Sequence, residues 1–192
     1  METVRIRYGN TNTFLVGGRL LVDTDYAGKM RAFFKALKAG NIRLDSITHV
    51  MATHYHPDHC GLIGELQQRG IKIILLESQK NLAHFADYIF ERDRLEYIPI
   101  DENEVELVCF ENSRDYLCSL GIAGEVISTP SHSEDSVSLI LDNGDCIVGD
   151  LQRKEYIDIC EDNTALKTDW DHIMKHHPKR VLYAHEPERR MA

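Results

Sequence analysis

The segment Thr53-His54-Tyr55-His56-Pro57-Asp58-His59-Cys60-Gly61 constrains this chain more than any other. It places three imidazoles and one carboxylate within six residues, directly after an apolar run, Ile47 to Thr53, that reads as a buried strand. Imidazole nitrogens and carboxylate oxygens are the donors that zinc and similar borderline cations take. A lone histidine would more often be a solvated or core residue. Four donors at these spacings, with Pro57 setting a backbone angle in the turn, outweigh that reading. In an extended run the side chains of His54, His56 and Asp58 would point to one face, and His59 would open the next helix toward a second cation. Asp58 has a plainer alternative as a helix N-cap.

A metal held here needs ligands from distant segments. His132 stands in Thr129-Pro130-Ser131-His132-Ser133, just after a strand pattern, Asp150 follows Cys146-Ile147-Val148-Gly149, and His185 follows Val181-Leu182-Tyr183-Ala184. Each alone is weak, since Asp150 also suits a helix cap and His185 a surface position. All three lie at strand ends, where a sheet-based fold would assemble a site.

The periodicities around them alternate between strand and helix. Val4 to Tyr8 alternates apolar and polar, and Thr13 to Gly17 with Arg19 to Asp23 reads as a hairpin around Gly17-Gly18. Met30, Phe33, Phe34 and Leu37 have helical spacing, closed by Gly40. A short helix from Leu62 ends at Gly70, a strand covers Ile71 to Leu76, and a helix is expected from Ser78, as N-cap, to Phe90. Strand, helix and three strands follow, over 104–110, 113–120, 125–129, 136–142 and 145–149, with Asn143-Gly144 as a hairpin turn. A helix over 164–176, stopped by Pro178, and a strand over 180–184 complete the pattern. No linker, repeat or low-complexity run intervenes, so one α/β domain over residues 1–192 is expected.

At this point the sequence resembles the metallo-β-lactamase superfamily. His54-x-His56-x-Asp58-His59, then His132, Asp150 and His185 in that order, is similar to its metal-ligand set. Asn12-Thr13-Phe14-Leu15-Val16 and Leu20-Leu21-Val22-Asp23-Thr24 resemble its opening strands, and Thr129-Pro130-Ser131-His132 and Gly149-Asp150 two further motifs. The resemblance implies an αββα sandwich, two mixed sheets face to face with helices outside. It implies that His54, His56 and His132 hold one divalent ion and Asp58, His59 and His185 another, with Asp150 shared. Zinc is the default metal, with iron or manganese as alternatives. The activity implied is hydrolysis of an ester, thioester, lactone or phosphodiester in a small molecule by a hydroxide that two metals share, Asp58 orienting it or relaying its proton. Asp23 is the first candidate to fix an imidazole from behind. The competing readings are a mononuclear-iron persulfide dioxygenase of the same fold and a non-catalytic binding module, whose members usually lose ligands.

Within the family, Asp150 stands where B1 β-lactamases carry Cys, and His56 where flavodiiron reductases carry Glu. The chain ends soon after His185, against a glyoxalase II-like helical extension. Arg153 and the later Tyr156 depart from the Tyr that acyl-homoserine lactonases place after the shared Asp. Ser131, Glu186-Pro187 and Cys60 also depart from family usage and bear on substrate choice. Tyr26, Tyr55, Arg153 and Tyr156 are the pocket candidates, Arg153 as a clamp for carboxylate or phosphate.

Composition narrows partners and location. With 22 Lys+Arg against 31 Asp+Glu the formal charge is −9, which opposes general binding of nucleic acid or an anionic membrane. The small-molecule substrate that the resemblance implies is compatible with this balance, and the oligomeric state is open. No apolar leader or spanning segment is legible. The cysteines at 60, 109, 118, 146 and 160 are widely spaced with no CxxC pair, as in a reduced, cytoplasmic protein.

Overall fold

Two strand-rich halves of the chain each make a sheet. The computed structural model describes residues 2–157, 159 and 163–191, so Cys160 lies outside the described residues. In the first half β1 (Thr3–Arg7), β2 (Asn12–Val16), β3 (Leu20–Val22), β4 (His49–Met51), β5 (Lys72–Leu76) and β6 (Val105–Val108) are hydrogen-bonded in sequence order. The first three run antiparallel and β3 to β6 parallel. The second sheet takes β7 (Gly124–Ser128), β8 (Val137–Leu141), β9 (Asp145–Gly149), β10 (Arg180–Tyr183) and β11 (Arg189–Arg190), in spatial order β11-β10-β9-β8-β7. It is antiparallel except for the β9–β10 pair. The helices are α1 (Met30–Ala39), α2 (Pro57–Cys60), α3 (Ile63–Gln67), α4 (Asp87–Arg92), α5 (Ser113–Ser119) and α6 (Thr164–Met174).

Alternation along the strands sorts side chains into layers. Phe14, Val16, Leu20, Val22, Ile74 and Leu76 face Leu139, Leu141, Ile147 and Leu182 between the sheets. The intervening residues Leu15, Leu21, Ile73 and Leu75 pack outward against Met30, Phe33 and Leu37 of α1 and Ile63 and Leu66 of α3. On the far side Ile140, Cys146, Val148 and Val181 meet Leu166, Trp170 and Ile173 of α6. Strands buried on both faces explain why several read as continuous apolar runs. Each such side chain contributes about 1.5–3 kcal/mol by leaving water. The result is the expected four-layer sandwich, helices outside two mixed sheets.

Two hairpins follow their turn signals. Gly17 and Gly18 both have positive φ between β2 and β3, and Gly144 has φ +97° between β8 and β9. The segment expected to be helical from Ser78 to Phe90 is different. Glu77–Gln79 form a single 3-10 turn, and α helix begins only at Asp87. The cause is Gln79, which is fully buried. Its Oε1 accepts from Leu76 N, and its Nε2 donates to the Ala52 and Asp135 carbonyls. That inward side chain competes with helix propagation, and Ser78 is no N-cap. No helix of the described residues is long and apolar enough to cross a membrane.

Candidate metal centre

Four chain segments end at one edge of the sandwich, and backbone bonds tie them together. Thr53 O, just past β4, accepts from Val137 N at the start of β8 (2.9 Å), and Ala184 N, past β10, donates to Gly149 O (3.0 Å). These ties bring the loop from β4 into α2 alongside the β7–β8 loop and the ends of β9 and β10. The seven residues singled out in the sequence, His54, His56, Asp58, His59, His132, Asp150 and His185, all meet there.

They form overlapping groups. One donor atom each from His54, His56 and His132 lie within 4.8 Å of one another, and the same holds for Asp58, His59 and His185 and for His54, His59 and Asp150. Asp150 faces both sides: Oδ2 is 3.4 Å from His59 Nε2 and 3.8 Å from His132 Nε2, while Oδ1 is 3.3 Å from His185 Nε2. Asp58 Oδ2 lies 3.1 Å from His185 Nε2. The structure corrects the expectation that Asp58 continues the face of His54 and His56. Pro57 opens α2, so the chain turns before Asp58 and carries it to the His59 group. Nor is it the cap, since His56 occupies that position.

The donors fit cations. The ring of His54 lies 4.0 Å from that of His59, 4.5 Å from His56 and 4.7 Å from His132, centroid to centroid. His54 Nε2 and His59 Nε2 are buried and make no hydrogen bond to protein. Buried imidazole nitrogens facing one another unsatisfied are costly, and a cation among them removes the cost. Burial, reinforced by charge on His59, pushes His54 far below the usual histidine range, toward the neutral, ligating form. Burial would lower His59 too, but the Asp23 and Asp150 carboxylates raise it to about 10. Hydrogen bonds to Asp150 and Asp58 raise His185 to about 10. Burial opposes ionisation of Asp150, yet His185 and His59 hold it well below the carboxylate range.

Support from behind is specific. Asp23, fully buried with φ +58°, accepts from Thr53 N (2.6 Å) and Thr53 Oγ1 (2.9 Å) and places Oδ2 3.1 Å from His59 Nδ1. His185 Nδ1 faces the Asn10 carbonyl at 3.3 Å, which directs Nε2 inward. Sequence reasoning missed other supports. Asp135 Oδ2 accepts from Tyr55 N (2.7 Å), Asp169 Oδ2 from Ser131 N (2.8 Å), and Asn12 Nδ2 donates to the Tyr183 carbonyl (2.9 Å). Asp169 carries a weak signal, a carboxylate on the otherwise apolar face of α6, whereas Asp135 carries none. Gly149, with φ +58°, lies so close to Thr53 that a Cβ would strike its hydroxyl. Gly149→Ala is therefore expected to cost about 2–3 kcal/mol, from left-handed strain plus the clash, and to lower metal content. Thermal melts and elemental analysis of that variant check this.

The pocket candidates divide. Tyr156, Arg153 and Glu186 wall a cleft of about 390 Å³ that reaches His132, Asp150 and His185. Arg153 is ion-paired with Glu186 rather than free as a clamp. Tyr26 packs edge-on against Phe90, 5.9 Å away, among the residues over the outer core, and does not line that cleft. Tyr55 is buried. Cys60 is buried with Sγ 3.3 Å from the His56 carbonyl, and burial pushes its thiol far up, so it is not an exposed, reactive thiol.

Comparison with known proteins agrees with this architecture. The chain is 25% identical over 188 residues to the Drosophila melanogaster protein named Beta-lactamase-like protein 2 homolog, covering 91% of this chain and 58% of that one. It thus spans little more than half the length of that relative. Among solved structures, the BLEG-1 B3 metallo-β-lactamase superposes with a TM-score of 0.70 at 20% identity, over 98% of this chain and 94% of the other. TTHA1623 in a di-iron-bound form gives 0.69 at 20% identity, over 99% and 94%. The family model of the metallo-β-lactamase superfamily matches residues 6–185. Fold, sequence match and converging donors agree, and the chain belongs to the metallo-β-lactamase superfamily.

Proposed function

We propose that the chain is a dinuclear metallo-hydrolase of small molecules. His54, His56 and His132 hold one ion, Asp58, His59 and His185 the other, and Asp150 is shared. The observation that carries this reading is Asp150, whose Oδ2 lies between His59 of one set and His132 of the other while Oδ1 faces His185. Divalent ions held there supply Lewis acidity and a nucleophile from water at neutral pH. Asp23 and the Asn10 carbonyl hold His59 and His185 in orientation. Asp58, the more exposed of the two carboxylates, takes the proton released from water and passes it to the departing group. The cleft beside Arg153 and Tyr156 receives the substrate. Zinc and iron both suit this donor set, and the di-iron form of TTHA1623 supports iron as well as zinc.

Elemental analysis of purified protein, followed by a panel of chromogenic ester, thioester, lactone and phosphodiester substrates, tests the reading. About two transition-metal ions per chain and hydrolysis lost on chelation are expected. Full hydrolysis by metal-stripped protein refutes it. One iron per chain with oxygen uptake on a persulfide favours the dioxygenase instead.

A further inference from the structure

The centre has a second cavity, on the side of His56. It measures about 150 Å³ and is walled by Tyr55, His56, Leu82, Phe85, Ser133 and the acidic pair Glu134 and Asp135. Phe85 is 52% exposed, yet its ring lies over His56 with centroids 5.6 Å apart. His56 is 3.2 Å from His132, which lines the larger cleft with Arg153 and Glu186. Two cavities therefore lie on either side of this imidazole pair, the small one with an apolar wall against His56 and the larger, charged one against His132. The Asp135 carboxylate is already committed, to Tyr55 N and to the Ser133 hydroxyl, both at 2.7 Å. A half-exposed phenyl ring contributes little to folding where it stands, and apolar surface beside a reacting centre is suited to a ligand.

Resting on the hydrolase reading above, we propose that this cavity is an acyl subsite. The substrate is a carboxylic ester or thioester whose short unbranched acyl chain lies along Leu82 and Phe85. Its alcohol or thiol part extends toward Arg153 and Glu186. Water adds across the acyl C–O or C–S bond, a carboxylic acid and an alcohol or thiol leave, and no oxidant or reductant is consumed. At roughly 30 Å³ for each small group, comparable to the share of one water in the liquid, the cavity takes about five carbons beyond the carbonyl. That is a hexanoyl chain. Glu134 and Asp135 on the wall, and a chain charge of −9, disfavour a phosphodiester arm in the same place.

The test compares kcat/KM of the metal-loaded protein for 4-nitrophenyl acetate, hexanoate and decanoate and for bis(4-nitrophenyl) phosphate. Full burial gives about fourfold per methylene, so a partly open cavity predicts on the order of 50-fold from acetate to hexanoate, and a fall at decanoate. Phe85→Ala is expected to lower the hexanoate-to-acetate ratio about tenfold, and Leu82→Trp, which fills the cavity, to lower it further. Saturation-transfer NMR with hexanoate anion gives a readout independent of turnover, in which the terminal methyl is saturated by the parent protein and not by the Leu82→Trp variant. A chain-length profile that is flat and indifferent to both substitutions, or a preference for the phosphodiester, overturns the acyl subsite while leaving the hydrolase standing. Absence of turnover on these four substrates and on the thioester and lactone of the panel above, with two metals bound, fails the hydrolase reading. The NMR then decides the cavity, because unsaturated methyl protons overturn it and saturation lost with Leu82→Trp supports it.

Discussion

Asp150→Ala is expected to reduce bound metal to below about one ion per chain and to lower kcat/KM by on the order of 10³-fold or more, equivalent to about 4 kcal/mol of transition-state stabilisation. The reason is its position. Asp150 lies between the two proposed ion sites, with Oδ2 between His59 and His132 and Oδ1 against His185. Its removal takes away the negative charge that lets two cations, or two protonated imidazoles, sit so close together. His56→Ala makes the contrast. It withdraws one donor from the group of His54 and His132 and leaves Asp58, His59 and His185 intact. That variant is expected to keep about one ion per chain while losing most of its activity. Elemental analysis beside steady-state kinetics separates the two patterns. Full loading of both variants with unchanged kinetics would refute the shared site.

The seven converging residues, candidate donors under the proposal above, could be picked out in the sequence because six of them sit on or beside motifs whose chemistry is local, and their order along the chain matches strand ends. The pairing of Asp58 was not legible from periodicity. Alternation assigns it to the face of His54 and His56, and only the turn at Pro57 redirects it. The layers were legible for the same reason the core forms: Leu15, Leu21 and Leu75 alternate with Phe14, Leu20 and Ile74 between outer and inner faces. The segment after β5 was misread because a polar residue, Gln79, is used as a core bracket between β4 and the β7–β8 loop. No one-dimensional pattern reports a side chain whose partners lie 27 and 56 residues away. Arg153 is the same kind of case, since its partner Glu186 lies 33 residues on and reads in sequence only as a departure from family usage.

Asp23→Ala is expected to produce the largest loss of stability, about 3–5 kcal/mol, or on the order of 10 °C in melting temperature for a chain of this size. The carboxylate has no exposure and three partners, Thr53 N, Thr53 Oγ1 and His59 Nδ1. Alanine leaves Thr53 N buried without an acceptor, Thr53 Oγ1 with only His54 Nδ1 at 3.2 Å, and His59 without its counter-charge. It also sits poorly at φ +58°, where Asp and Asn are tolerated. Asp23→Asn separates the two roles of the residue. Asn accepts the left-handed backbone and keeps an oxygen for Thr53 N, so the melt is expected to fall by only about 1–2 kcal/mol. Its amide, however, cannot stabilise an imidazolium or fix the Nδ1–H tautomer of His59 as a carboxylate does. Affinity for the ion held by Asp58, His59 and His185 is then expected to fall about 10–100-fold, with the His54 group little affected. Competitive metal titration measures that split. Equal weakening of both ions would make Asp23 a fold residue only, whereas selective weakening of one identifies it as the residue that aims His59.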